Sequence, residues 1–134
     1  MIGYNKITNF QLNMPKILVV EDEQILAEMY KDKFEKEGFE IVLARDGKIG
    51  MEIMKKEKPA LVLLDILLPN ENGIEFLKKQ IKDPEVSSIP VIVFSNFDDP
   101  ETKKETLSLG VKEYLIKSNH NPKEIVEQIK KYIN

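Results

Sequence analysis

Cysteine is absent from the 134 residues, which excludes a disulfide framework and a zinc-thiolate site and makes the cytoplasm the unforced compartment. Long apolar runs are missing as well. The longest, such as Ala60 to Leu64, fall far short of the roughly 20 residues that span a bilayer, so no membrane segment is expected. Met1 to Asn13 alternates polar and apolar side chains without an uninterrupted apolar core, unlike a secretory signal. Residues 1–14 read as a loosely ordered extension, with Met14 marking the start of a domain over 15–134. An excess of basic charge is also lacking: 20 Lys and Arg stand against 23 Asp and Glu, a net charge of −3. That balance argues against a surface built for nucleic acid or an anionic membrane and leaves proteins and small ions as partners. Histidine occurs once, as His120 in a predicted loop, and no catalytic or metal role is expected of it. No internal repeat, low-complexity tract or linker is present, and no output domain is expected after the last helix.

What is present suits one compact domain, with 42% hydrophobic and 32% charged residues. From Pro15 onward, short apolar runs alternate with longer segments of helical period, the mark of βαβ units around a parallel sheet. Strands are predicted at Lys16 to Val20, Phe39 to Ala44, Ala60 to Leu64, Pro90 to Phe94 and Glu113 to Ile116. The unbroken apolar character of Ile17 to Val20 and of Leu61 to Leu64 marks those two strands as central, covered on both faces. Ile25, Leu26, Met29, Tyr30 and Phe34 repeat at helical spacing, and Gly38 follows as a stop. Further helices are marked by Ile49, Ile53 and Met54, by Ile74, Leu77 and Ile81, and by Ile125, Val126, Ile129, Tyr132 and Ile133. Residues 101–109 form the thinnest helical pattern, with only Leu107 and Leu109 for an apolar face.

Five alternating units with right-handed crossovers predict a doubly wound, flavodoxin-like α/β sheet in the order 2-1-3-4-5. In that order ligands bind at the carboxyl ends of strands 1 and 3. Glu21 and Asp22 follow strand 1, Asp65 follows strand 3, Ser95 ends strand 4 and Lys117 ends strand 5, so all converge on one rim. Arg45 and Asp46, after the edge strand, lie further away. Carboxylates crowded at a dry strand edge repel one another and must hold protons or bind a cation. Mg²⁺ suits an oxygen-only site, keeping several waters and taking one or two carboxylates plus a phosphate. Asp65, ending the most apolar strand, is the best nucleophile for a phosphoryl group. Lys117 can supply a point charge to the phosphoryl oxygens and Ser95 a hydroxyl donor.

Each residue also has an ordinary reading. Glu21 and Asp22 are types that cap helices, and an Asp after a strand is a common turn former. Ser95 can be a plain strand-end hydroxyl, Lys117 a solvated lysine and Tyr114 a packing residue. Pro69 and Gly73 signify turn geometry in either reading. The Lys and Glu runs at 55–58 and 101–105 read as solvated helix faces.

The segments Lys16-Ile-Leu-Val-Val-Glu-Asp22, Leu61-Val-Leu-Leu-Asp65 with Pro69 and Gly73, Ile89-Pro-Val-Ile-Val-Phe-Ser95 and Tyr114-Leu-Ile-Lys117 together resemble the response-regulator receiver family of two-component signalling. The resemblance runs from Pro15 to the end. It implies phosphoryl transfer to Asp65 from a phosphohistidine on a sensor histidine kinase or phosphotransfer protein. It also implies Mg²⁺ held by Asp22, Asp65, the Leu67 carbonyl and, often through water, Glu21. Ser95 and Tyr114 match the switch pair that reshapes the face of helix 4, strand 5 and helix 5 for a downstream protein. A stand-alone phosphoacceptor rather than an enzyme is implied, monomeric or weakly dimeric through that face, with at most slow self-dephosphorylation. Three positions depart from the family pattern. Ser118 stands where proline usually follows the lysine, Asn96 stands where a small residue follows the switch hydroxyl, and Leu67 is apolar where the family is often polar or Met. Two alternatives are a pseudo-receiver that binds proteins without phosphorylation and an aspartyl phosphatase of the haloacid-dehalogenase type. The latter wants a second Asp two residues after the first, where this chain has Leu67.

Overall fold

A computed structural model describes residues 14–133. The extension expected before Met14 lies outside the described residues. Five parallel strands, β1 (Lys16–Val20), β2 (Glu40–Ala44), β3 (Leu61–Leu64), β4 (Val91–Ser95) and β5 (Glu113–Ile116), form one sheet in the order β2-β1-β3-β4-β5. The helices are α1 (Gln24–Lys36), α2 (Gly47–Glu57), α3 (Gly73–Lys82), α4 (Pro100–Ser108) and α5 (Pro122–Lys130), with a 3₁₀ turn at Lys117–Asn119 before α5. The expected order is borne out.

Strand alternation divides the interior into two layers. Ile17, Val19, Leu61, Leu63, Ile92 and Phe94 pack on one side against Tyr30 and Phe34 of α1 and Ile125 and Ile129 of α5. Leu18, Val20, Val62, Leu64 and Val93 pack on the other against Met54 of α2 and Phe76 and Leu77 of α3. Both faces of β1 and β3 are therefore covered, as their unbroken apolar runs require.

Strand ends differ from expectation by a residue, for identifiable reasons. Phe39 gives its amide to the Phe34 carbonyl at 3.3 Å, closing α1, so β2 begins at Glu40. Pro90 has no amide to enter the ladder, although its carbonyl accepts from Val62 at 3.0 Å, and β4 runs from Val91 through Ser95. Three apolar residues assigned to helix faces point elsewhere. Ile25 is 88% exposed, and Ala27, Tyr30 and Phe34 carry the buried face of α1. Ile81 and Leu107 are also exposed. In α4 the buried residue is Thr106, whose hydroxyl donates to the Lys103 carbonyl at 3.0 Å, so a polar side chain is buried at no hydrogen-bonding cost.

Gly38 closes α1 with a positive φ of 98°, as a stop glycine should. Gly73 is not the turn residue its position suggested. The left-handed residue in that loop is Asn70, with φ of 68°, and Gly73 opens α3 in contact with the preceding strand end. A Cβ there would lie 2.9 Å from the Asp65 carbonyl oxygen and 2.9 Å from Ile66 Cα, both backbone atoms. Gly73→Ala is therefore expected to cost about 1–3 kcal/mol of stability, the scale of overpacking a core. Urea denaturation checks it; an unchanged midpoint would show that the loop yields freely.

Candidate functional site

The register of the central strands builds the site. Val20 is aligned with Leu64 across β1 and β3, and the Asp65 amide donates to the Val20 carbonyl at 3.1 Å, so Glu21 and Asp65 leave adjacent strands at one level. Ser95 is aligned with Ile116 across β4 and β5, which brings Ser95 and Lys117 to the same rim. Asp46, by contrast, accepts the Ile49 amide at 2.8 Å and caps α2, consistent with its place off the rim.

Asp65, buried, lies at the centre. Its Oδ1 accepts from the Ser95 hydroxyl at 2.7 Å and from the Leu67 amide at 3.1 Å, while Oδ2 accepts from the Lys117 ammonium at 2.8 Å. Lys117, also buried, donates in addition to Glu21 Oε1 and stands 5.8 Å from the centroid of the Phe94 ring. Glu21 is buried and Asp22 exposed, and one oxygen each from Glu21, Asp22 and Asp65 lies within 4.8 Å of the others. The capping role open to Glu21 and Asp22 is not taken. The N-cap of α1 is Glu23, without a side-chain cap, and Glu21 Oε2 instead accepts the Glu23 amide at 3.1 Å.

Electrostatics follow from burial. Desolvation raises the Glu21 carboxyl, opposed only in part by the hydrogen bond from Lys117. For Lys117, burial pulls the pKa down, but hydrogen bonds to Asp65 and Glu21 outweigh it and the net direction is upward, so the ammonium keeps its charge. Three carboxylates cluster here, and the Lys117 ammonium pairs with two of them, Glu21 and Asp65. A dication with a preference for oxygen suits such a cluster, so the donor set fits Mg²⁺.

The segment after β4 carries further contacts. The Ser95 hydroxyl accepts the Phe97 amide at 3.2 Å, and the Tyr114 hydroxyl donates to the Phe97 carbonyl. Burial, then the charges of Asp65, Asp98 and Asp99, push that phenol up to about 12. Lys103 of α4 stands 5.8 Å from the Tyr114 ring centroid. Leu67 and Phe97 are both exposed at the rim. Asn96 Oδ1 accepts the Ser118 amide at 2.9 Å. This bond joins two of the positions that depart from the family pattern, a meeting that neither position signals when read alone. Among the described residues no helix is long and apolar enough to cross a membrane.

Comparison with known proteins agrees with this fold. The family model described as the response regulator receiver domain matches residues 17–130. The chain is 37% identical over 106 residues to protein PilH of Pseudomonas aeruginosa, covering 78% of this chain and 86% of PilH. It is 31% identical over 121 residues to the polar-differentiation response regulator DivK of Brucella anthropi, covering 90% and 98%. A solved CheY-like receiver domain protein from Methanospirillum hungatei superposes with a TM-score of 0.82 at 28% identity, covering 89% of this chain and 93% of its own.

Proposed function

The chain belongs to the response regulator receiver family, and from that premise we propose that it accepts a phosphoryl group on Asp65 from the phosphohistidine of a sensor kinase or phosphotransfer protein. One observation carries this reading: a buried carboxylate held by an ammonium and a hydroxyl, with two more carboxylates in reach of a shared cation. A carboxylate oxygen of Asp65 attacks phosphorus as the bond to the histidine nitrogen breaks. The nitrogen keeps the bonding electron pair and leaves as imidazole. Lys117 exchanges a carboxylate partner for a phosphoryl oxygen, a charge-assisted bond in a site where water is scarce. Ser95 releases Asp65 Oδ1 and donates to another phosphoryl oxygen. Mg²⁺, held by Glu21, Asp22, Asp65 and the Leu67 carbonyl, would neutralise charge on the transferring oxygens. The protein is a phosphoacceptor rather than an enzyme acting on a separate substrate, and it works in the cytoplasm.

The readout follows from the same contacts. Motion of Ser95 toward the phosphoryl group disturbs its bond to Phe97, and through Phe97 the Tyr114 hydroxyl. Tyr114 turning inward would reshape the surface of α4, β5 and α5 for a downstream protein or a second copy of the chain. Incubation with acetyl phosphate and Mg²⁺, followed by mass spectrometry, is expected to show one added phosphoryl group, absent in Asp65→Asn. Beryllofluoride with Mg²⁺ is expected to shift amide resonances of Tyr114 and α5. Uptake by Asp65→Asn sinks the assignment of the acceptor. Shifts confined to the site rim would make the protein a phosphoryl relay rather than a switch.

A further inference from the structure

The β4 and β5 ladder ends at the pair Ser95 and Ile116. Beyond it the two segments part, one toward α4 and the other into the 3₁₀ turn at Lys117–Asn119. Ser95 and Lys117, whose side chains donate to Asp65, thus stand where backbone pairing gives out. The first amides of a helical turn have no partner within it, and Ile116, which precedes this turn, offers no side-chain cap. The Ser118 amide is capped from the segment that follows β4, by Asn96 Oδ1 at 2.9 Å. Asn96 directly follows Ser95, and Ser118 directly follows Lys117. One hydrogen bond therefore fastens together the two segments that carry the hydroxyl and the ammonium. A proline at 118 has no amide and needs no cap, because its ring fixes φ; serine leaves both the amide and the torsion to be held by something else.

We infer that Asn96 is a positioning residue for phosphoryl acceptance, acting as a latch that holds the backbone of Lys117 while its side chain changes partners. The inference rests on the receiver reading above. Lys117 donates to Glu21 and Asp65 before the reaction, and it must reach a phosphoryl oxygen during it. A backbone held by Asn96 confines that change to the flexible stem of the lysine, and less order has to be gained on binding. Both latch residues are exposed, so the bond is one between neutral groups in contact with solvent, and its removal is expected to act by about twofold to tenfold.

Two measurements on Asn96→Ala, Ser118→Pro and the double variant decide the point: beryllofluoride affinity in Mg²⁺ by NMR titration, and hydrogen exchange of the Ser118 amide. Asn96→Ala is expected to weaken beryllofluoride binding and to speed Ser118 exchange, each by about twofold to tenfold, while thermal unfolding stays a single cooperative transition. In the Ser118→Pro background, where there is no amide to hold, the same substitution is expected to leave beryllofluoride affinity unaltered. Equal losses in both backgrounds, or no loss in either, overturn the latch. If the parent protein itself takes up no beryllofluoride, the receiver reading fails, and the exchange rate of Ser118 still reports whether the bond exists.

Discussion

Asp22→Ala is expected to lower phosphoryl uptake from acetyl phosphate by roughly a hundredfold or more at saturating donor, a metal's charge stabilisation being worth several kcal/mol. Asp22 is the exposed member of the acidic cluster, so truncating it opens no cavity and removes no core contact. Glu21 and Asp65 remain, but both are already engaged by the Lys117 ammonium, and Asp22 is the carboxylate left to draw in a cation. Mg²⁺ must compete with that ammonium and give up hydration it holds strongly, so in the parent protein binding without phosphate is expected to be weak. In the variant, titration of amide shifts with Mg²⁺ should detect no binding over the same range. Removing one of three crowded carboxylates also relieves repulsion. The thermal midpoint in metal-free buffer should therefore hold or rise, which separates loss of the site from loss of the fold. Undiminished uptake in a folded Asp22→Ala protein would falsify the metal assignment.

Glu21, Asp65 and Lys117 could be placed from sequence because each directly follows a strand, with Asp22 one residue further, and a strand is the element whose position the apolar pattern specifies best. Once β1 and β3 are recognised as covered on both faces, the order of the sheet follows and the residues after those strands must meet. Helix faces were less legible. Helical spacing groups Ile25 with Leu26, Met29 and Tyr30, but it cannot say where the stripe ends, and Ile25 is at its solvent edge. The buried contact of α4 is Thr106, invisible to a search for apolar residues because its hydroxyl is satisfied within its own helix. Gly73 read as a turn residue because loop composition suggests one; its need for glycine comes from the Asp65 carbonyl lying against it, a contact made only by the folded loop. Asn96 and Ser118 lie 22 positions apart. Read separately, each looked like a local departure, and only the meeting of two loops makes them one feature.

The lifetime of the phosphorylated state is expected to be long, because hydrolysis needs a water in line with the bond between phosphorus and Asp65. By resemblance to the family, Leu67 and Phe97 flank that approach. Leu67 is 56% exposed and Phe97 36%, so both stand at the mouth of the site rather than in the core. Their backbones are tied to it, the Leu67 amide to Asp65 and the Phe97 amide to the Ser95 hydroxyl. Their side chains offer a water no hydrogen bond. Asn96 is the polar residue beside them, but its carbonyl oxygen, the atom that would orient a water by accepting from it, already accepts the Ser118 amide, which ties the side chain to the β5 side of the rim. Restoring polar groups in Leu67→Asn, Phe97→Glu should speed decay of the phosphoprotein by a factor of about 5 to 150, from about 1–3 kcal/mol of water-orienting interaction. Because both positions are exposed, the double variant is expected to fold as the parent does. Decay followed at equal Mg²⁺ by phosphoprotein electrophoresis measures the ratio. Equal rates would mean that water reaches the aspartyl phosphate past leucine and phenylalanine as readily as past asparagine and glutamate, and that the lifetime is set by Lys117 and the metal instead.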